Sequence, residues 1–270
     1  MLLTRHSLDT ATRAELIALC HSLADIARTE SLRLFRTRDL AADSKEAARF
    51  DPVTEADRAT ERALRAALNA TRLQDAIAGE EYAATRGTSG LTWIIDPIDG
   101  TRAYLSGTPC WGVLIAVADA DGPLLGVIDQ PYIGERFIGG LGVADFTGPH
   151  AQGRLQTRAT ATLDQAILFT TFPEIGTENE RAAFHRVSPA CRLTRYGMDC
   201  YAYALIALGQ IDLVIEAGLQ PYDIAAPKAV IEAAGGIVTD WQGNPPRKTG
   251  QVLAAANAAL HAQALALLNG

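Results

Sequence analysis

Apolar positions in the first part of the chain recur at helical spacing. They predict a helix that begins at a capping box, Thr12-Ala-Arg-Glu15, and continues through 32–35, with an apolar face formed by Leu16, Leu19, Cys20, Leu23 and Ile26. A second helix is predicted to begin near Thr54. There Thr54 caps the helix, and Asp57 occupies the third helical position, where the helix dipole favours a carboxylate.

Beyond Gly79 the apolar positions form short runs separated by Gly, Pro and Asp. These runs predict strands at 91–95, 113–118, 124–128 and 136–138, and the short links within 121–142 predict antiparallel hairpins. From 166 onward strands and helices alternate, with strands at 166–170, 211–215, 237–239 and 252–255 and helices at 198–208, 224–234 and 258–268. This alternation indicates layers of α and β structure.

A glycine-rich polar stretch at 139–160 indicates a boundary between two halves of the chain. We expect an N-terminal α+β half at 1–145, which carries most of the candidate metal ligands. The C-terminal α/β half at 146–270 then carries the last candidate ligand and the residues that select the substrate.

The composition narrows the class of protein. The 270 residues are 48% hydrophobic and carry a net charge of −7, which fits a globular enzyme and argues against general nucleic-acid binding. The four cysteines form no C-x-x-C pair, so neither a zinc site nor a disulfide framework is expected. No secretory signal and no membrane-spanning run is apparent, and the expected location is the cytoplasm, with no membrane partner.

The most informative motif is Asp96-Pro97-Ile98-Asp99-Gly100-Thr101. Two carboxylates at the end of a predicted strand are placed to share hard divalent cations such as Mg²⁺, which prefers oxygen ligands. Gly100 permits close approach of the backbone to a ligand, and the amides of Gly100 and Thr101 would bind a phosphate if a helical turn begins there. The structural alternative is an acidic turn in which Thr101 caps a helix.

Three further motifs contain carboxylates: Asp51-Pro-Val-Thr-Glu-Ala-Asp57, Gly79-Glu80-Glu81 and Pro221-Tyr-Asp223-Ile-Ala-Ala226. Taken alone, each has an ordinary structural explanation. Glu80 and Glu81 would be solvated surface acids, Asp57 a first-turn helix acid and Asp223 a helix cap. Because each motif ends a predicted strand or begins a predicted helix, the combination favours a binding site.

With these four motifs in this order, the sequence resembles the inositol monophosphatase family over nearly its whole length. The resemblance implies an αβαβα sandwich and a Mg²⁺-dependent phosphomonoester hydrolase that binds two or three ions, with Mn²⁺ as a substitute and Li⁺ as an inhibitor.

The resemblance also assigns roles to individual residues. It assigns metal binding to Glu80, Asp96, the Ile98 carbonyl, Asp99 and Asp223, and phosphate binding to Asp99, Gly100 and Thr101. Thr101, paired with Asp57, would orient or deprotonate the attacking water, and Glu80 would also serve catalysis. Lys45 resembles a family lysine near the metals, whereas Tyr222 replaces the usual Trp.

Within the family, Asp-Gly-Thr-Arg102 and Tyr196-Gly-Met-Asp-Cys-Tyr-Ala-Tyr203 resemble the histidinol-phosphate phosphatases. Asp199, Glu216 and Arg195 are then the expected substrate-binding residues, with the two acids receiving the ammonium and imidazole groups of histidinol phosphate. The alternatives are an inositol monophosphatase or a broad sugar- and nucleotide-phosphate phosphatase, and, in another class, a regulatory binding protein on the same fold. The resemblance implies a homodimer that acts on a small phosphorylated metabolite.

Overall fold

The computed structural model describes residues 2–4, 6–38, 40–44, 52–246 and 250–270, so Lys45 and Asp51 lie outside the described residues. Its α-helices are α1 (Thr10–Leu34), α2 (Glu55–Thr71), α3 (Thr101–Ser106), α4 (Glu178–Val187), α5 (Asp199–Ala207), α6 (Pro221–Ala233) and α7 (Ala258–Asn269). Short 3₁₀ turns lie at Leu163–Gln165 and Ser188–Ala190. Within the described ranges, no helix is both long enough and apolar enough to cross a bilayer.

The strands form two large sheets and one small ribbon. In chain order they are β1 (Ala42–Ser44), β2 (Pro52–Thr54), β3 (Ala76–Gly79), β4 (Thr92–Asp99), β5 (Gly112–Asp119), β6 (Gly122–Gln130), β7 (Glu135–Gly140), β8 (Val143–Thr147), β9 (Gln152–Arg154), β10 (Ile167–Thr170), β11 (Leu193–Tyr196), β12 (Leu213–Glu216), β13 (Ile237–Thr239) and β14 (Val252–Ala255). Strands β3 to β9 make a seven-stranded sheet in sequence order, and the other large sheet has the order β11-β10-β12-β14-β13. Strands β1 and β2 pair with each other.

Helices and sheets alternate in five layers. Helices α1 and α2 pack on one face of the seven-stranded sheet, and α5 and α6 pack between the two large sheets. Helices α4 and α7 cover the outer face of the five-stranded sheet. The structure therefore confirms the predicted αβαβα sandwich.

Strand β5 shows why the seven-stranded sheet is covered on both faces. Val113, Ile115 and Val117 belong to the core under α1 and α2, whereas Leu114 and Ala116 belong to the core that includes α5 and α6. Successive side chains of a strand point to opposite faces, so a strand that is apolar at every position must be covered twice. The predicted hairpins are confirmed, because β4 to β9 pair antiparallel along the chain.

The predicted boundary between 145 and 146 falls inside β8, and the sheet continues to Arg154 in β9. The next strand, β10, begins at Ile167 and belongs to the five-stranded sheet. The change from one sheet to the other thus occurs between Arg154 and Ile167. The division into two halves at 145 stays a prediction.

Several local features differ from the sequence expectations. Helix α1 begins at Thr10, because Asp9 caps it by accepting a hydrogen bond from the Thr12 amide at 2.7 Å. Glu15 is not a capping partner, since it accepts instead from Arg72 Nη1 at 3.1 Å. Helix α4 lies where no element was expected, although Thr177 and Glu180 form a capping box at its start. Strands β3 and β11 were also not expected.

Helix α6 approaches the seven-stranded sheet at two glycines. A Cβ atom at Gly126 would lie 2.5 Å from the Ala226 carbonyl oxygen, and one at Gly139 would lie 2.6 Å from Val230 Cα. Both neighbours are backbone atoms of α6 and can give way only if the helix moves. The two glycines therefore set the distance between α6, which carries Asp223, and the sheet that carries Asp96.

We expect Gly139→Ala to destabilise the protein by about 1–3 kcal/mol, because the added methyl group overpacks the contact with α6. Thermal or urea unfolding measures the change. Gly153→Ala is the matched control, since a Cβ there meets nothing within 4 Å, and its stability should equal that of the parent protein. Equal stability of Gly139→Ala and the control would contradict the proposed role of this contact.

Candidate metal centre and active site

Strand β4 brings the two carboxylates of the central motif to one end of the seven-stranded sheet. Asp96 pairs in register with Leu114, and the register then shifts before Asp99 pairs with Gly112. The sequence predicted a strand at 91–95, whereas β4 continues across this irregularity to Asp99. Such bulges re-aim side chains at functional sites, and here the shift places both Asp96 and Asp99 in the same cluster.

The third member of the cluster comes from the other half of the chain. Asp223 lies in the first turn of α6, where its Oδ2 accepts a hydrogen bond from the Gln220 amide at 2.7 Å. One carboxylate oxygen from each of Asp96, Asp99 and Asp223 lies within 4.8 Å of the others. The structure thus brings these three predicted metal ligands together, and all their candidate ligand atoms are the oxygens that Mg²⁺ prefers.

Burial and mutual repulsion make the charged forms of these acids costly. Burial, with the neighbouring Asp223 charge, raises the pKa of Asp99 to about 7. Burial also raises the pKa of Asp223 to about 7, and the Gln220 amide opposes this only in part. The pKa of Asp96 is raised well above its usual value by burial and by the charges of Glu80, Asp99 and Asp223. A divalent cation would relieve this repulsion, so the donor set fits the metal that the sequence predicts.

Glu80 reaches the cluster from the turn that follows β3. Its side chain hydrogen-bonds with Asp96, and its charge contributes to the raised pKa of Asp57 and of Asp223. Glu80 also lines the cavity described below. The predicted fourth carboxylate is therefore adjacent to the other three.

Asp57 and Thr101 form the predicted pair beside the cluster. The Thr101 hydroxyl lies 3.2 Å from Asp57 Oδ1 and 3.1 Å from the Ile98 carbonyl oxygen. Asp57 Oδ2 accepts from the amide and the hydroxyl of Thr54 at 2.8 and 2.5 Å, so the predicted capping role of Thr54 is confirmed. Burial raises the pKa of Asp57 to about 6, against the lowering effect of the Thr54 hydrogen bonds.

Gly100 connects this pair to the next part of the site. Its φ of 85° is left-handed, and a Cβ there would lie 2.8 Å from Asp199 Cγ, so both the conformation and the space require glycine. Thr101 begins α3, so the amides of its first turn have no acceptor within the helix. A helical turn does begin at the position that the phosphate-binding prediction required.

A cavity of about 910 Å³ lies above the cluster and extends toward the five-stranded sheet. Asp199 and Glu216, two of the three predicted substrate-binding residues, line it together with Tyr222. Arg195 is exposed on β11 and is not among the lining residues. The structure therefore brings the two acids to the site and leaves Arg195 outside it.

Asp199 and Glu216 are both acids with raised pKa values. Burial, with the charge of Asp99, raises the pKa of Asp199 to about 7. Burial raises the pKa of Glu216 to about 8, although the Thr171 amide and hydroxyl donate to its Oε1 at 3.0 and 2.8 Å. Asp199 has a φ of 46°, a conformation that Asp tolerates better than most residues.

The cavity contains residues that the motifs did not indicate. The hydroxyls of Thr170 and Tyr203 are buried in its wall and have no hydrogen-bond partner within the described residues. Tyr203 packs in the core that includes α5 and α6 and also lines the cavity. Tyr201 lies elsewhere and donates to Glu135 Oε2 at 2.6 Å. No sequence signal distinguishes the two tyrosines, because α5 is apolar nearly all round.

At the mouth of the cavity, the Arg102 guanidinium lies 5.2 Å from the centroid of the Phe172 ring. Phe172 belongs to the loop after β10 and is exposed. The ring offers an apolar surface and the guanidinium beside it a charged one. Both belong to the part of the cavity wall that a substrate would pass.

A five-layered α/β sandwich with carboxylates clustered where a strand end meets a helix start indicates the class of metal-dependent hydrolases. The model of the inositol monophosphatase family matches residues 12–269, and the chain belongs to this family of metal-dependent phosphatases. It is 38% identical over 259 residues to the bifunctional phosphatase IMPL2 of Arabidopsis thaliana, with 92% of this chain and 73% of that protein covered. It is 33% identical to the histidinol-phosphatase of Streptomyces coelicolor, with 94% and 96% covered. The structure of an inositol monophosphatase from Zymomonas mobilis matches with a TM-score of 0.84 and 39% identity, over 95% of this chain and 98% of that one.

The raised pKa values predict how stability depends on pH. An unfolded aspartate loses its proton near pH 4, whereas folded Asp99 and Asp223 keep theirs until about pH 7. Between these values the folded state binds more protons, so without metal the melting temperature should fall as the pH rises from about 5 to 8. Saturating Mg²⁺ should raise the melting temperature more at pH 8 than at pH 5.

Thermal unfolding in EDTA and in Mg²⁺ at constant ionic strength measures both effects. Asp223→Asn is the comparison variant, because it removes one of the repelling charges and should flatten the fall in EDTA. A melting temperature in EDTA that is level or rises between pH 5 and 8 would contradict this account of the cluster.

Proposed function

We propose that this protein is a Mg²⁺-dependent histidinol-phosphate phosphatase, which releases histidinol and inorganic phosphate. One observation carries the proposal: the same cavity holds the carboxylate cluster at one end and two further acids, the half-buried Asp199 and the buried Glu216, beside it. The cluster suits a phosphate through its metals, and the two acids suit a substrate whose other end is cationic. The similarity to the Streptomyces coelicolor histidinol-phosphatase supports this choice.

The electrostatics of the two acids favour a cation over a neutral group. With pKa values of about 7 and 8, Asp199 and Glu216 retain protons for part of the time near neutral pH. An ammonium or imidazolium group beside them stabilises the ionised forms and lowers both pKa values. Binding of a cation therefore gains charge-assisted hydrogen bonds to both acids.

Mg²⁺ held by Glu80, Asp96, Asp99, Asp223 and the Ile98 carbonyl would neutralise the charge of the phosphate and polarise its bond to the leaving oxygen. The protein's own part is to orient the attacking water and take its proton. The Thr101 hydroxyl, 3.2 Å from Asp57 Oδ1, passes its proton to that carboxylate as it receives one from the water. A pKa of about 6 leaves Asp57 ionised, and able to accept the proton, at neutral pH.

A phosphorylated polyol is the second candidate substrate, and the cavity wall gives a specific reason to consider it. The hydroxyls of Thr170 and Tyr203, which have no hydrogen-bond partner among the described residues, lie in the cavity with Glu216, and together they would bind the hydroxyl groups of a ring such as inositol. The similarity to the Zymomonas mobilis inositol monophosphatase favours the same candidate. The two substrates differ in charge, so they can be separated by experiment.

We expect phosphate release from histidinol phosphate to exceed release from inositol monophosphate and from adenosine monophosphate, and to require Mg²⁺. The measurement is inorganic phosphate released by the full chain, with Mg²⁺ and with EDTA. The Asp96→Asn variant is the control, because it removes a shared ligand and should abolish release while the fold remains.

Each other outcome of this assay contradicts part of the proposal. Preference for inositol monophosphate would replace histidinol phosphate with the second candidate. Full release in EDTA, or by Asp96→Asn, would contradict the metal assignment. No release from any of the three substrates would favour a regulatory binding protein on this fold.

The charge of Asp199 is expected to select the cationic substrate. Asp199→Asn keeps the size and tolerates the φ of 46°, but it removes the charge. Because hydrogen bonds to charged groups contribute about 1.5–3 kcal/mol, KM for histidinol phosphate should rise by about 10- to 100-fold, with a smaller change in kcat. KM for inositol monophosphate should change little.

Steady-state kinetics with both substrates test this expectation. Asp164→Asn is the control, since Asp164 lies in an exposed 3₁₀ turn outside the cavity and its replacement should leave both KM values unchanged. An equal rise of KM for both substrates in Asp199→Asn would show that Asp199 does not distinguish their charges.

A further inference from the structure

Helix α2 carries two buried carboxylates on one face. Asp57 and Glu61 are one helical turn apart, and both side chains are fully buried. Asp57 belongs to the pair with Thr101, but Glu61 has no part in the functions described so far. A buried glutamate is costly unless it is paired and hydrogen-bonded, so its partners indicate what it does.

The partners of Glu61 lie on the turn that carries Glu80. Glu61 Oε2 accepts a hydrogen bond from the Glu81 amide at 2.7 Å, and Oε1 accepts from the Tyr82 amide at 3.3 Å. On the other side of Glu80, a Cβ at Gly79 would lie 2.1 Å from Glu61 Oε1. The carboxylate thus occupies the space left by the glycine before Glu80 and binds the backbone after it.

Arg65 closes this arrangement from the next turn of α2. Its Nε donates to Glu61 Oε1 at 2.7 Å, and its Nη2 donates to the Tyr82 carbonyl oxygen at 2.9 Å. The Glu61 charge is therefore compensated by one guanidinium and two backbone amides. Because these donors lie on both the helix and the turn, the turn cannot shift without breaking charge-assisted hydrogen bonds.

We propose that Glu61 is a positioning residue for Glu80, holding the Gly79–Tyr82 turn so that the Glu80 carboxylate faces Asp96 and completes the metal site. This inference rests on the proposed role of Glu80 as a metal ligand. Glu61 does not touch the metal or the substrate and acts only through the backbone on either side of Glu80.

The position of Glu61 on α2 has a consequence for the reaction. Helix α2 carries both Asp57, which accepts the proton from Thr101, and Glu61, which holds the turn of Glu80. A regular helix keeps a constant spacing over one turn. The spacing between the proton acceptor and one metal ligand is then set by one rigid element.

The test compares metal binding in the parent protein and in Glu61→Gln, with the full chain. Gln has nearly the same size but carries no charge, and its amide oxygen cannot replace both carboxylate oxygens. Residues that hold a metal ligand in place typically contribute 10- to 100-fold to metal affinity, so we expect about a tenfold weaker affinity for Mn²⁺ or more. Titration of free Mn²⁺ by electron paramagnetic resonance measures this without reference to activity, and activity should recover at saturating Mg²⁺.

Asp75→Asn is the matched control for a purely structural effect. Asp75 is a buried carboxylate just before β3, where it accepts from Trp93 Nε1 at 2.9 Å and pairs with Arg72 at 2.8 Å. Its loss should lower the melting temperature without changing the affinity for Mn²⁺. Equal weakening of Mn²⁺ binding in Asp75→Asn and Glu61→Gln would overturn the proposal, because the effect would then follow from stability alone.

A second variant keeps the test decisive if Glu61→Gln fails to fold. Gly79→Ala retains the Glu61 charge but forces its flexible carboxylate end to move, so it should also weaken Mn²⁺ binding. If those of the two variants, Glu61→Gln and Gly79→Ala, that fold bind Mn²⁺ as tightly as the parent protein, the positioning role is overturned. If Asp96→Asn also binds Mn²⁺ as the parent does, the metal assignment itself fails; if Asp96→Asn loses Mn²⁺ binding, only the role of Glu61 fails.

Discussion

Three aspartate carboxylates, Asp96, Asp99 and Asp223, have oxygens within 4.8 Å of one another in a partly buried place, and the repulsion between them governs the electrostatics of the site. Carboxylates in water would separate. Here each one is attached to an element of the fold, β4 or α6, that places it beside the other two. Pairs of like charges at short range in a poorly hydrated site are a general means of creating affinity for a divalent cation.

Each of the three carboxylates accepts a hydrogen bond from a backbone amide. The amide of Ile98 donates to Asp96 at 3.1 Å, that of Cys200 to Asp99 at 2.6 Å, and that of Gln220 to Asp223 at 2.7 Å. Such hydrogen bonds lower a pKa, yet the pKa values of Asp99 and Asp223 stay at about 7, so burial and repulsion are the larger effects. The amides orient the carboxylates without neutralising them, and neutralisation is left to a cation.

The site joins parts of the chain that are distant in sequence. Helices α5 and α6 lie between the two sheets, so the helix starts at Asp199 and Asp223 meet the strand end at Asp96. Gly126 and Gly139 let α6 approach the seven-stranded sheet closely. The acids proposed to bind metal and the acids proposed to bind a substrate cation therefore line one cavity.

The sequence by itself determined the layered α/β fold, because the alternation of strands and helices and most helix caps are short-range patterns. Through the resemblance carried by its four carboxylate motifs, it also indicated the reaction class. It did not reveal α4 in spite of the Thr177 capping box, because no strong apolar period accompanied that cap. Only the tertiary structure decided that Asp199 and Glu216 enter the cavity while Arg195 stays outside, and that Glu61 holds the turn of Glu80. The positions of these side chains depend on contacts between residues far apart in the chain. Local periodicity and propensity do not determine which acid contacts which neighbour.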